Sequence, residues 1–182
     1  MAAPSPQLSP EFTEFLLEAR QHGYGTEEAA AQPLLASGAH QVTYEQDPYS
    51  YTDLWVGGNP YAGFEHVSAK IDGQYTPIWA MTYLETKLDG MQGDELTAVL
   101  ARVLRQPDPA LPLRVPKHWE QDGVRYGWEV VDKTSSLAGF DIKEYVAQGG
   151  RRVYVARIMG GLVNRDNVET VQDKFWLTAA SA

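Results

Sequence analysis

The fold of this chain is decided by residues 51–85, which read YTDLWVGGNPYAGFEHVSAKIDGQYTPIWAMTYLE. Two sets of turn residues, Gly57-Gly58-Asn59-Pro60 and Asp72-Gly73, divide the stretch into runs in which apolar and polar residues alternate. Such alternation predicts half-buried β-strands, and an Asp-Gly pair between two runs is typical of a hairpin turn. The strands predicted here lie at about 49–57, 62–71 and 75–84.

The sequence on either side of this stretch predicts further strands and helices. A helix begins after Ser9, a suitable cap, and ends near Gly23, with apolar residues at helical spacing between them. A second helix is predicted at about 94–105 from Leu96, Val99, Leu100 and Val103. The remaining elements are strands at about 40–46, 124–132, 138–147 and 151–160, and a C-terminal helix at about 167–177.

Two halves of the chain repeat the same motifs in the same order. Tyr51 is echoed by Tyr126 at an offset of 75, and Ala62-Gly63-Phe64-Glu65 is echoed by Ala138-Gly139-Phe140-Asp141 at an offset of 76. A period this long indicates a duplicated unit rather than a solenoid. We therefore expect one α+β domain over residues 1–182, in which a duplicated helix plus antiparallel-strand unit forms a pseudo-twofold. Its sheet or sheets would pack against two or three helices, with repeat units at about 10–84 and 93–160.

Composition and charge narrow the classes of partner. The chain has a net charge of −9, and residues 1–84 hold ten acidic but only two basic residues. Such an acidic field repels polyphosphates, so we expect no direct nucleic-acid binding. The absence of cysteine, of a leader-like N-terminus and of a long apolar run predicts a cytoplasmic protein without a membrane partner. A homo-oligomer is left open.

Strand alternation places two carboxylates on apolar faces. Asp53 shares its face with Tyr51 and Trp55, and Glu65 shares its face with Val67. A carboxylate in such surroundings needs a partner or a ligand. We expect a cleft that binds an apolar small molecule, for which a cationic group would suit the acidic anchor. The predicted ligand-binding residues are Tyr51, Asp53, Trp55, Glu65, Trp79, Met81 and Tyr83.

Two other interpretations of these residues stay open. The aromatic residues are also ordinary core residues, with Asp53 and Glu65 satisfied by tyrosine hydroxyls, backbone groups or an arginine. Alternatively, the chain is a cofactor-independent isomerase, cyclase or hydrolase, with Asp53 or Glu65 as the catalytic general acid or base. No metal or cofactor is expected, because the four histidines are dispersed and no phosphate-binding or dinucleotide fingerprint is present.

The motif YxDxWxGGxxYAGxExV, followed by PIWAMxY, resembles a bacterial domain-of-unknown-function family. Its members usually have tyrosine where this chain has Trp55. The resemblance covers roughly residues 12–162 and includes the opening Phe15-Leu16-Leu17-Glu18-Ala19. Some members stand alone and others follow an XRE-type helix-turn-helix, which implies a sensor role for the fused members.

Overall fold

The computed structural model describes residues 7–23, 34–106, 118–131, 137–163 and 176–177. Two helices and ten strands lie in these ranges, and none of these helices is long and apolar enough to span a membrane. In chain order they are β1 (Gln7–Leu8), α1 (Pro10–Gly23), β2 (His40–Gln46), β3 (Tyr49–Gly57), β4 (Tyr61–Ile71), β5 (Gln74–Lys87), α2 (Gly93–Leu104), β6 (His118–Gln121), β7 (Val124–Val130), β8 (Gly139–Gln148), β9 (Arg151–Leu162) and β10 (Trp176–Leu177).

Eight of the strands form one antiparallel sheet in the order β2-β3-β4-β5-β9-β8-β7-β6. Each half of the chain contributes four neighbouring strands, and β5 pairs with β9 at the centre to join the halves. The short strands β1 and β10 pair separately. The coarse prediction of an α+β fold with antiparallel strands is confirmed, although strands outweigh helices in the described residues.

The hairpin between β4 and β5 shows how local sequence sets the register. Ile71 faces Gln74 across a two-residue loop, and the loop residues Asp72 and Gly73 have φ angles of 50° and 82°. Positive φ at both positions is the requirement of a type I′ turn, which Asp-Gly meets at low steric cost. The turn predicted from the sequence is therefore present and sets the register of the first residues of β5, up to an irregularity in the pairing between Val67 and Ser68.

The core lies on one face of the eight-stranded sheet. Every second residue of the long strands is buried there, and the buried stripe of α1 contacts them through aromatic pairs. Phe12 lies edge-on to Tyr49, with ring centroids 5.9 Å apart, and Phe15 packs on Tyr49 at 5.0 Å. The buried residues of α2, namely Leu96, Val99, Leu100 and Val103, belong to the same apolar cluster.

At three segments the structure differs from the expectations or does not describe the residues concerned. The equivalence of Phe64 and Phe140 is wrong, because Phe64 is 42% exposed on the outer face of the sheet whereas Phe140 is buried. Strand β6 was not among the predicted strands. The predicted C-terminal helix lies outside the described residues except for Trp176–Leu177, which form β10.

Candidate functional site

The seven predicted ligand-binding residues lie together on the core face of β3, β4 and β5. Strand register arranges them in three rows of three positions across the sheet. Six of the seven side chains are buried and Trp55 is half-buried. The rows are Tyr51–Val67–Trp79, Asp53–Glu65–Met81 and Trp55–Gly63–Tyr83.

Glu65 is bound by an arginine from helix α1. The Arg20 Nη2 atom lies 2.9 Å from Glu65 Oε2 and the Nε atom lies 3.2 Å from it, with side-chain exposures of 2% for Arg20 and 0% for Glu65. The same guanidinium lies 5.5 Å from the ring centroid of Trp79 and donates to Met81 Sδ at 3.5 Å. The cation expected beside Glu65 is therefore provided by the protein itself.

Asp53 is held by a neutral donor instead. The Tyr83 hydroxyl donates to Asp53 Oδ1 at 2.8 Å, and both side chains are buried. Gly63 makes this contact possible, because a Cβ atom there would lie 2.1 Å from the hydroxyl and ring of Tyr83. The tyrosine ring thus crosses the backbone of β4 to reach a carboxylate on β3.

A second group of buried acidic residues extends the site towards the centre of the sheet. Glu85 on β5 accepts hydrogen bonds from the hydroxyls of Tyr61 and Tyr154. The Tyr154 hydroxyl also lies 3.4 Å from Glu144 Oε1. Glu85 is 3% exposed and Glu144 is 1% exposed, so the described core face carries four buried carboxylates.

Sequence reasoning missed Glu85 and Glu144, although strand alternation could have found both. Glu85 is in phase with Trp79, Met81 and Tyr83, but the predicted strand ended one residue too early. Glu144 is in phase with the buried residues Phe140 and Ile142 of β8. Asp141, the acidic residue considered in that segment, lies on the outer face and forms an ion pair with Arg157.

The aromatic residues beside Asp53 lead from the buried rows towards solvent. Trp55 and Tyr61 are half-buried. His40 stacks on Trp55 with ring centroids 5.0 Å apart, and Tyr61 lies edge-on to Tyr83 at 6.3 Å. This side of the site therefore has an aromatic wall that solvent reaches in part.

Surface depressions among the described residues include one beside α1 and one on the outer face of the sheet. One, of about 370 Å³, lies between α1 and the β2–β3 turn and is bordered by Glu11, Glu14, Glu18 and Asp47. The other, of about 250 Å³, lies on the outer face of the sheet beside Phe64 and Met159. Within the described ranges, no group of three or more His, Asp or Glu side chains is placed to hold a metal ion.

Comparison with known proteins gives one match. A family model described as Domain of unknown function (DUF5680) matches residues 53–163, which is more than half of the chain. No curated protein and no solved structure matches the chain. The matched segment contains Asp53, Glu65 and Glu85, together with β9 and its Tyr154. The chain belongs to the DUF5680 family of domains of unknown function.

Proposed function

We propose that this chain is a small-molecule-binding domain whose ligand is largely apolar and carries a cationic or hydrogen-bond-donating group. The ligand would lie against β3–β5, with Asp53 as the acidic anchor and Trp55, Tyr61 and Tyr83 as the aromatic wall. The observation that carries the proposal is the contact between Asp53 and the Tyr83 hydroxyl.

The two carboxylates of the central row differ in a way that favours Asp53 as the anchor. Arg20 pairs with Glu65 inside the core, whereas the Tyr83 hydroxyl orients Asp53 on the side of the site where Trp55 and Tyr61 are only half-buried. A cationic or hydrogen-bond-donating group of a ligand that lies along this side of the sheet would meet the Asp53 carboxyl group. Tyrosine and tryptophan faces attract organic cations as well.

The resemblance to family members that follow an XRE-type helix-turn-helix fits such a role. A domain fused to a DNA-binding module acts as a sensor if a ligand changes its stability or shape. For this chain we propose the ligand-binding step alone.

Matched substitutions at the two carboxylates test the proposal. Asp53→Asn removes the anchor charge and Glu65→Gln removes the charge that Arg20 binds. A panel of aromatic and cationic compounds is screened by thermal shift, and the hits are measured by calorimetry. We expect Asp53→Asn to weaken binding of a hit by about 10-fold or more, as for loss of a charge-assisted contact. If Asp53→Asn binds the hits as tightly as the natural protein does, the proposal is wrong.

A second candidate function is a cofactor-independent enzyme, and the placement of Tyr154 favours it. Its hydroxyl lies within hydrogen-bond distance of both Glu85 and Glu144. A phenol between two carboxylates can relay a proton, as general acid–base catalysis of an isomerase, cyclase or hydrolase requires. Under this alternative, Tyr154→Phe would leave binding of a hit intact and abolish its conversion, as measured by chromatography of the ligand after incubation.

We further propose that the two halves arose by duplication, with a register that differs from the one first expected. Tyr51 faces Val67 in one half, and Tyr126 faces Val146 in the other. Each of these valines is followed by an irregularity in the pairing with the next strand. The buried residues of the helices also have the same spacing, with Phe12, Phe15, Leu16 and Ala19 in α1 against Leu96, Val99, Leu100 and Val103 in α2.

This register has a consequence for the site. Counting two residues back from Val67 and Val146 makes Glu144, rather than Asp141, the counterpart of Glu65. Counting one residue beyond Ala19 and Val103 makes Leu104 the counterpart of Arg20. The two halves would therefore keep a buried carboxylate at the same place and hold it differently, which supports an asymmetric site.

A further inference from the structure

We propose that the outer face of the sheet is the interface of a homodimer, in which two copies pack sheet against sheet about a twofold axis that crosses the strands near Thr82. This proposal is independent of the ligand-binding function, because the outer face lies opposite the buried carboxylates. It predicts a defined oligomeric state and the side chains that control it.

Several large apolar side chains are exposed together on this face. Register places Phe64, Thr82 and Met159 in one row, and Val56 and Leu84 in the next. Their exposed fractions are high for side chains of this kind, at 42% for Phe64, 48% for Met159, 47% for Val56 and 53% for Leu84. We call these four residues and Leu54 the outer apolar patch. Contiguous patches of this type mark protein contacts more often than scattered apolar residues do.

The distribution of charge argues that the occupant is a second copy of the chain. Residues 1–84 contain ten acidic residues, yet the outward positions of β3–β5 around the patch hold no Asp, Glu, Lys or Arg. Two copies of a chain with net charge −9 repel each other, so an uncharged patch is the part of the surface at which they can meet with the least electrostatic repulsion. The other half of the outer face carries both signs, and its Asp141 is ion-paired with Arg157.

The shape of the patch is complementary to itself. The depression of about 250 Å³ is lined by Phe64, Ala80 and Met159 and by the side-chain-free residues Gly160 and Gly161. It is smaller than the roughly 300 Å³ at which small-molecule pockets begin, so an inserted side chain suits it better. Along β5, Leu84 lies on one side of Thr82 and Ala80 lies on the other. A twofold axis that lies between the two sheets and runs across the strands at Thr82 exchanges these two positions. Each Leu84 therefore lies over the depression of the other copy. An isologous contact needs such a pair of matching features on one surface.

The area of the face suits a stable dimer. Eight strands at about 4.8 Å spacing and about seven residues of length give the whole outer face a plan area of about 900 Å², of which the part on β3–β5 is less than half. A standard interface takes about 800 Å² from each partner. Sheets that pack face to face with aligned strands are also a common architecture.

Analytical ultracentrifugation of the full chain over a concentration series tests the proposal. We expect a monomer–dimer equilibrium for the natural protein and a Kd at least about 30-fold weaker for Leu84→Glu, the effect of losing a central anchor. Leu34→Glu is the matched control, because Leu34 is 59% exposed and lies outside the sheet; it should dimerise as the natural protein does. A monomeric natural protein, or a dimer that Leu84→Glu leaves intact, would overturn the proposal.

A crosslinking experiment tests the position of the axis without relying on a disruptive variant. The chain has no cysteine, so Thr82→Cys introduces a single thiol. Facing sheets lie about 10 Å apart, and a bismaleimide of that reach should link two Cys side chains on the axis into a covalent dimer. The same substitution at Thr97, on the exposed side of α2, should give no covalent dimer. Equal crosslinking at both positions would contradict the proposed axis.

Discussion

At the scale of single residues, the site depends on how each buried carboxylate is held. Arg20 binds Glu65 through its charged guanidinium group, while the phenol hydroxyls of tyrosines bind Asp53 and Glu85. An arginine fork and a phenol satisfy the hydrogen-bonding capacity of a carboxylate in different ways, because only the arginine neutralises it. Chemically similar side chains on one face of the sheet therefore have different partners.

Gly63→Ala should destabilise the protein by displacing Tyr83. The new methyl group would lie 2.1 Å from the tyrosine ring, so the ring must leave its position over β4 and lose its contact with Asp53. We expect a loss of about 1–3 kcal/mol in the free energy of unfolding, typical of overpacking. Urea denaturation measures it.

Gly58→Ala is the control for that substitution. No atom lies within 4 Å of a Cβ at Gly58, and its φ is not positive. Its stability should change by less than that of Gly63→Ala. Equal losses for the two variants would mean that the close approach of Tyr83 does not matter.

Glu65→Gln should lower stability and leave ligand affinity unchanged. Gln keeps the size of the side chain but leaves the Arg20 guanidinium buried without its counter-charge. Breaking a buried ion pair in this way costs about 3–5 kcal/mol. The melting temperature and the affinity for a hit are measured on the same sample. Weaker binding at an unchanged melting temperature would instead make Glu65 the ligand anchor.

His66 should make stability depend on pH. Burial lowers the pKa of its imidazole from the ordinary 6.5, so the folded protein binds this proton less readily than the unfolded chain does. Above pH 6.5 both states are neutral at this residue. As the pH falls below 6.5 the unfolded state gains the proton first, and the folded state loses stability.

The His66→Gln variant isolates this contribution. Between pH 7.5 and pH 5.5, its melting temperature should fall less than that of the natural protein. Parallel curves for the two proteins would show that His66 is not responsible.

At the scale of elements, α1 is fixed to the sheet by both apolar and ionic contacts. Phe12 and Phe15 contact Tyr49 of β3, and Arg20 reaches Glu65 of β4 from the last turns of the helix. The Ser9 Oγ atom accepts a hydrogen bond from the Phe12 backbone at 3.2 Å and caps the helix. The helix therefore contacts strands that also hold the candidate site.

Replacing the ion pair as a whole should be far milder than breaking it. In the double variant Arg20→Met and Glu65→Leu no uncompensated charge remains, and similar replacements elsewhere are neutral or stabilising. We expect the double variant to be more stable than either Arg20→Met or Glu65→Gln, as measured by urea denaturation. A double variant less stable than both would show that the pair is needed for packing of α1 beyond its charges.

At the scale of the whole molecule, the two halves share one sheet and one apolar core. The β5–β9 pairing extends over nine positions, from Trp79–Leu162 to Lys87–Tyr154. The core cluster includes Phe12 of the first half and Val103 and Ile158 of the second. The halves are therefore coupled in the folded state whatever their origin.

Unfolding should consequently follow a single cooperative transition. Calorimetry should give equal calorimetric and van't Hoff enthalpies, since neither half keeps its core without the other. Hydrogen exchange should be slowest in β5 and β9, which lie at the centre of the sheet, and faster in the edge strands β2 and β6. Two separate transitions would mean that the halves are independent domains.

Local patterns in the sequence specify several elements of this fold. The Asp72-Gly73 turn, the apolar stripe of α1 and the alternation of β3–β5 each depend on neighbours within a few residues, so they could be predicted. The same alternation placed Asp53 and Glu65 on faces that the structure brings together. Strand β6 has only four residues, which is too short a pattern to recognise.

The partner of each buried carboxylate depends on how distant parts of the chain pack together. Arg20 and Glu65 are 45 residues apart, and Tyr154 and Glu85 are 69 apart. Their contacts follow from the packing of α1 on the sheet and from the pairing of β5 with β9, which no local pattern specifies. Strand period fixes the face on which a side chain lies, but the order of strands fixes its neighbours, and that order is set by the burial of the whole core.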